Sequence, residues 1–102
     1  MLKSVYYHSE AVQDLNDSAA YYEIRRPGMG EIFQKTVLKA EETVARNPKI
    51  GVITPFGSGS IRKYHLTRFP FTLFYYEQPD FIWILAIAHD SRKPGYWMTR
   101  IK

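Results

Sequence analysis

Hydrophobic and polar positions repeat with two different periods along the chain, and the places where the period changes outline its organisation. Residues Leu2 to His8 are rich in β-formers and predict a first strand. Ser9 closes it, with a hydroxyl suited to a helix N-cap and Glu10 well placed in the first turn. Val12, Leu15, Ala19 and Tyr22 then recur at three- and four-residue steps as one apolar helical stripe, with Asp14, Asp17 and Glu23 off it. Pro27-Gly28-Met29-Gly30 interrupts the pattern. Ile32, Phe33, Val37, Ala40 and Val44 restart it as a second stripe, which fades before Asn47-Pro48. So short a turn predicts an antiparallel helical pair.

Breakers crowd the stretch from Pro48 to Ser60 (Pro48, Gly51, Pro55, Gly57, Gly59), which therefore reads as a loop. Its Gly57-Ser58-Gly59-Ser60 tract lacks the lysine of a phosphate-binding loop. Ile61 to Thr67 alternates, placing Arg62, Tyr64 and Leu66 on one face and Ile61, Lys63 and His65 on the other. Phe69 to Glu77 is a strongly aromatic strand, and Gln78-Pro79-Asp80 a turn. Phe81 to Ala88 is apolar on both faces, as expected of a central strand covered on both sides. The order β-α-α-β-β-β implies one α+β domain over residues 1–102, a helical hairpin packed on a small, mostly antiparallel sheet. Residues Lys93 to Lys102, with Tyr96 and Trp97, read as a tail docked on the body.

Composition narrows the class. With 16% aromatic residues and interspersed charge, the 102-residue chain is not of the disordered type. It has no cysteine, hence no disulfide, thiolate metal site or cysteine nucleophile, which fits a reducing compartment. No secretory signal opens it and no apolar run approaches the roughly 20 residues of a membrane span, so a cytoplasmic location is expected. Residues 1–51 balance seven bases with seven acids, whereas residues 52–102 hold seven bases and three acids, so the net charge of +4 belongs to the second half. An acidic partner should meet that half.

Two clusters there carry candidate chemistry. The first, His89-Asp90-Ser91-Arg92-Lys93-Pro94-Gly95-Tyr96-Trp97 with Arg100 beyond, supplies parts for handling a phosphodiester. Imidazole or phenol moves protons, and guanidinium stabilises a phosphorane. The same residues also admit a purely structural role, with Tyr96 and Trp97 anchoring the tail and Arg92 pairing with a helix carboxylate. The second cluster joins Lys63 and His65 on one strand face, Arg68 in the next turn and His89 at the neighbouring strand end, a basic face suited to a nucleic-acid backbone or simply a solvated one. His8, His65 and His89 are too far apart in sequence to suggest a metal site, no HExxH or GxSxG pattern occurs, and no cofactor is implied. Tyr21, Tyr22, Phe33 and Phe56 read as core and core-edge residues, or as the lining of an apolar groove that a partner helix fills.

Taken together, Glu10-Ala11-Val12-Gln13-Asp14-Leu15, Tyr21-Tyr22-Glu23, Pro27-Gly28, Phe33, Ile61-Arg62-Lys63, Phe69-Pro70-Phe71-Thr72-Leu73-Phe74-Tyr75 and His89 to Trp97 resemble the RelE/ParE toxin superfamily of type II toxin–antitoxin (plasmid stabilisation) modules. The Phe-Pro-Phe strand and the His-x-x-Arg-x-Pro-x-Tyr-Trp ending are similar to the ParE-like branch. The resemblance implies a prokaryotic chromosomal or plasmid origin, the architecture above and a cognate antitoxin partner. It also implies one of two targets. ParE-like members inhibit DNA gyrase by binding, whereas RelE-like members cleave mRNA on the ribosome without metal, with basic sheet residues and a C-terminal tyrosine or histidine.

Carried over residue by residue, the nuclease pattern falls on Lys63, His65 and Tyr96, but the arginine expected at the start of the next strand is Thr72, with His89 and Arg92 the candidates to compensate for it. Losing such a contact typically costs about 10²–10³ in rate. The leading expectation is thus a ParE-like gyrase inhibitor whose contact surface includes Arg62, Arg68, Arg92, Trp97 and Arg100. The alternatives are a ribosome-dependent endoribonuclease and a non-toxic binding module. Under either toxin reading, a disordered antitoxin segment is expected to fold across the hairpin or sheet groove, near Tyr21, Tyr22 and Phe56.

Overall fold

A computed structural model describes residues 2–101. Strand β1 (Ser4–Tyr7) leads into helix α1 (Ser9–Arg25), which turns into α2 (Met29–Arg46); β2 (Val52–Ile53), β3 (Ile61–His65), β4 (Phe71–Glu77) and β5 (Phe81–His89) follow, and a 3₁₀ segment, Tyr96–Ile101, closes the chain. The sheet order is β1-β5-β4-β3-β2, with β1 parallel to β5 and the other pairs antiparallel. The α+β hairpin-on-sheet architecture is therefore as expected, with one strand more. Val52 and Ile53 pair with Lys63 and Arg62 inside the stretch read as a loop. Two residues are too short to carry a detectable period. The doubly covered strand β5 lies inside the sheet, between β1 and β4.

The helices differ from the expectation in ways that bear on the site. His8, not Ser9, caps α1: its Nδ1 accepts from the Glu10 amide at 3.0 Å. The face buried by α1 carries Ala11, Leu15, Ala19 and Tyr22, so Val12 sits outside it and is exposed. Asp14, read as lying off the apolar stripe, points at β5, where it accepts from the Ile87 amide at 3.1 Å. Glu23 is equally structural. Gly28, the left-handed N-cap of α2 at φ 90°, has no side chain to offer, and the Glu23 carboxylate accepts from the amides of Gly28 and Gly30 in its place. Gly30 also lets the helices close up, since a Cβ there would lie 2.6 Å from the Ala19 carbonyl oxygen.

Between sheet and hairpin lies the main core, with Phe33, Val37, Val44, Leu73, Tyr75, Ile82, Ile84 and Ile87. A second cluster forms on the opposite face, where Trp97, only 1% exposed, packs on Phe74 and Phe56 and against Leu85 and Ala86. The tail is thus docked on the body. Leu85 is the extra residue of a β-bulge, because Phe74 pairs with Ala86 and Tyr75 with Ile84. It shifts the phase of β5 by one residue. Ile82, Ile84 and Ile87 face the helices, while Leu85 and Ala86 both face Trp97.

Candidate functional site

The sheet face away from the helices presents the first part of the site. In the β3–β4 register His65 lies opposite Thr72, and Lys63 opposite Phe74. The Thr72 hydroxyl donates to Asp90 Oδ1 at 2.8 Å and meets His65 Nδ1 at 3.1 Å, and His65 Nε2 lies 3.6 Å from Asp90 Oδ2. Having given its one proton to Asp90, Thr72 can only accept from His65, so the Nδ1 of His65 is the donor. Thr72 is therefore the hub of a His–Thr–Asp cluster that puts a carboxylate on this face. Asp90 stood in the first sequence cluster without a role of its own. It follows the last residue of β5, and its proximity to Thr72 comes from strand pairing that no local pattern reveals.

Beside this cluster lies a hollow of about 260 Å³ walled by Lys63, Thr72, Asp90, Arg92, Lys93 and Trp97. Lys63, Arg92 and Lys93 are exposed. The Arg92 guanidinium stacks 3.8 Å from the centre of the Tyr96 ring. Burial, aided by the Asp14 charge, pushes the Tyr96 phenol above its ordinary pKa, against a smaller pull from Arg100 and Arg92.

The remaining candidates separate. The Leu85 bulge turns His89 to the helix side, where its ring packs edge-on against Phe71 with centroids 5.0 Å apart. His89 nevertheless borders the same hollow as Lys63, Thr72 and Asp90. Its Nδ1 accepts from the Ser91 amide at 3.0 Å. Arg62 donates to the carbonyls of Gly51 at 2.8 Å and Lys49 at 3.3 Å, holding the segment before β2. Arg100, its side chain 8% exposed, is bound to Asp14, and Trp97 is buried. Arg68 is exposed at φ 72° and lines a groove beside α2 rather than the open face. Tyr21, half exposed on α1, meets Tyr22 edge-on at 5.5 Å and the two line one hollow with His89, Arg92 and Tyr96, whereas Phe56 lies against Trp97 on the other side of the sheet and does not join them. Among the described residues, no three His, Asp or Glu side chains are placed to hold a metal ion.

The family model for the ParE toxin of the type II toxin–antitoxin system, parDE, matches residues 5–94. The chain belongs to the ParE toxin family. The match runs through β1, the hairpin, the whole sheet and the strand-end residues His89, Asp90 and Arg92 of this ParE-family protein. A solved structure described as the chromosomal ParDE TA system from P. aeruginosa has the same fold, with a TM-score of 0.73 at 19% identity, covering 86% of this chain and 96% of that one. Among curated proteins, none matches the sequence closely. No helix in the described part of the ParE fold is long and apolar enough to cross a membrane.

Proposed function

We propose that this ParE-family chain is a cytoplasmic toxin that arrests growth by binding DNA gyrase, and that a cognate antitoxin neutralises it. The carboxylate of Asp90, bonded to Thr72 on the open sheet face, is the observation that carries this reading over RNA cleavage. Phosphodiester cleavage builds a doubly negative phosphorane and needs cations aimed at it. A carboxylate at the strand-end edge of that face works the other way, by about 1 kcal/mol per unit charge at 4 Å in water and about 4 kcal/mol at an effective dielectric of 20.

Cleavage also needs a free proton-moving group, and His89, although it borders the hollow, packs its ring on Phe71 and has its Nδ1 engaged by the Ser91 amide. Binding, by contrast, needs only complementary surface, and Lys63, Arg92 and Lys93 around an aromatic-walled hollow offer one. In cells expressing the protein alone, growth should stop with loss of plasmid supercoiling, and mapped 5′ ends of translated messages should carry no codon-phased cuts. Phased cuts within the ribosomal A site would contradict the proposal.

A further inference from the structure

Two hollows meet at the end of β5. One, of about 260 Å³, is the hollow beside Asp90; the other, of about 280 Å³, lies between α1 and the strand end. His89, Arg92 and Tyr96 border both, so the two form one cleft that bends around the end of β5. Lys63 and Lys93 belong to the first alone, Asp17 and Tyr21 to the second.

The second hollow is built like a seat for one anchoring side chain. Buried Phe71 and Ile87 and half-buried Tyr22 give it apolar walls, while Asp17, Ser18 and half-exposed Tyr21 form a polar rim along α1. Apolar seats inside a polar rim are where interface energy concentrates. Pockets that hold a free small molecule generally run to about 300–1,000 Å³. Either hollow is smaller than that and suits a single large side chain, and the cleft they share suits a chain laid across the strand end.

Charge decides what kind of chain. Exposed Arg92, stacked on Tyr96, stands at the junction of the hollows, and Asp17 is exposed on the far rim. Among the described residues neither forms an ion pair; Asp17 accepts only from the Gln13 side-chain amide, at 2.7 Å. The cleft therefore runs from cations at Lys63, Lys93 and Arg92 to an anion at Asp17. A nucleic-acid backbone repeats one negative charge and is repelled at the Asp17 end. A protein segment with an acidic residue on one side of an aromatic anchor and a basic residue on the other matches both ends.

We infer that the hollow between α1 and β5 is the second half of the target surface. It seats an aromatic side chain from a mixed-charge protein segment, whose acidic side meets Arg92 and Lys93 and whose basic side meets Asp17. The inference rests on the gyrase reading for the identity of the protein that carries the segment.

The test uses the full chain and purified gyrase, with direct binding and inhibition of supercoiling read side by side. Asp17→Lys reverses the rim charge, and Ser18→Trp fills the hollow from its rim. Each should weaken binding and inhibition at least about tenfold while the melting temperature stays near that of wild type. Asp17→Lys, at an exposed position, carries the test if Ser18→Trp does not fold. A benzophenone amino acid in place of Tyr21 should cross-link to gyrase, and the same group in place of Leu38, which lines neither hollow, should not. Folded variants that bind and inhibit gyrase as wild type does overturn the inference and leave the gyrase reading standing. A wild-type chain that arrests growth but neither binds nor inhibits gyrase overturns the gyrase reading and the inference with it.

Discussion

Arg100 grips Asp14 with both ends of its guanidinium, Nη1 to Oδ2 at 2.7 Å and Nη2 to Oδ1 at 3.2 Å, joining two residues 86 positions apart. The same Nη1 donates to the Leu85 carbonyl at 3.0 Å, and Asp14 accepts from the Ile87 amide at 3.1 Å. The pair therefore satisfies the backbone groups around the β-bulge that sets the phase of β5. With side chains 8% and 14% exposed, removing either partner strands a buried charge. Asp14→Ala and Arg100→Ala should each cost about 3–5 kcal/mol in urea unfolding. Arg100→Lys keeps the charge without the fork and should cost about 1.5 kcal/mol. Losses below about 1 kcal/mol for both alanine variants would show that the pair does not hold the bulge.

Trp97 is a packing residue in this arrangement, with its ring centroid 4.6 Å from that of Phe74 and 5.2 Å from that of Phe56. Trp97→Ala should destabilise the fold by about 3–5 kcal/mol, as deletion of a large buried aromatic does. Trp97→Phe should cost less and keep growth arrest. A Trp97→Ala protein that folds as stably as wild type but loses toxicity would instead make Trp97 a target contact.

Asp90 should act as an electrostatic brake on phosphate binding at the open face. Removing one charge at roughly 4 Å in water is worth about 1 kcal/mol, so Asp90→Asn should bind a short RNA about fivefold more tightly at low salt in a filter-binding assay. Equal affinities would remove the brake from the account.

Lys3 donates to Glu77 Oε2 at 2.7 Å and Lys49 to Oε1 at 3.4 Å, tying the end of β4 to the segments before β1 and β2. The Lys3 bond is the main cause that holds the Glu77 carboxyl below the usual glutamate range, with Lys49 adding to it against burial. Because the unfolded chain then binds the proton more readily, this stabilisation is present above about pH 4.3, the ordinary glutamate value, and is lost as pH falls through the lower folded value. Glu77→Gln should be less stable than wild type at pH 7, and the difference in urea midpoint should shrink at pH 3. A gap that is constant with pH would mean that the ion pairs contribute nothing.

The two helices were legible from their period, the strand run Phe81 to Ala88 from its unbroken apolarity and the docked tail from Tyr96 and Trp97, although Val12 lies outside the stripe it was read into. What escaped has a common cause in long-range pairing. The Leu85 bulge arises from two strands meeting out of step, and one inserted residue sends His89 to the opposite face from His65. Asp14 stood off the apolar stripe with no visible role because its partners, Arg100 and Ile87, lie at least 73 residues away. Counting cations located the basic second half but could not tell Arg62 and Arg100, which bind backbone and carboxylate groups, from exposed Lys63, Arg92 and Lys93. Thr72 drew notice as the missing arginine, yet its partner Asp90 became visible only with the register of β4 on β5.

Purified gyrase supercoiling in the presence of the toxin tests the central claim most directly. Wild-type protein should abolish supercoiling, and the surface variant Lys63→Glu/Arg92→Glu, folded as judged by its thermal melt, should need at least about tenfold more protein for the same inhibition. Full gyrase activity at toxin concentrations that arrest growth would contradict the account.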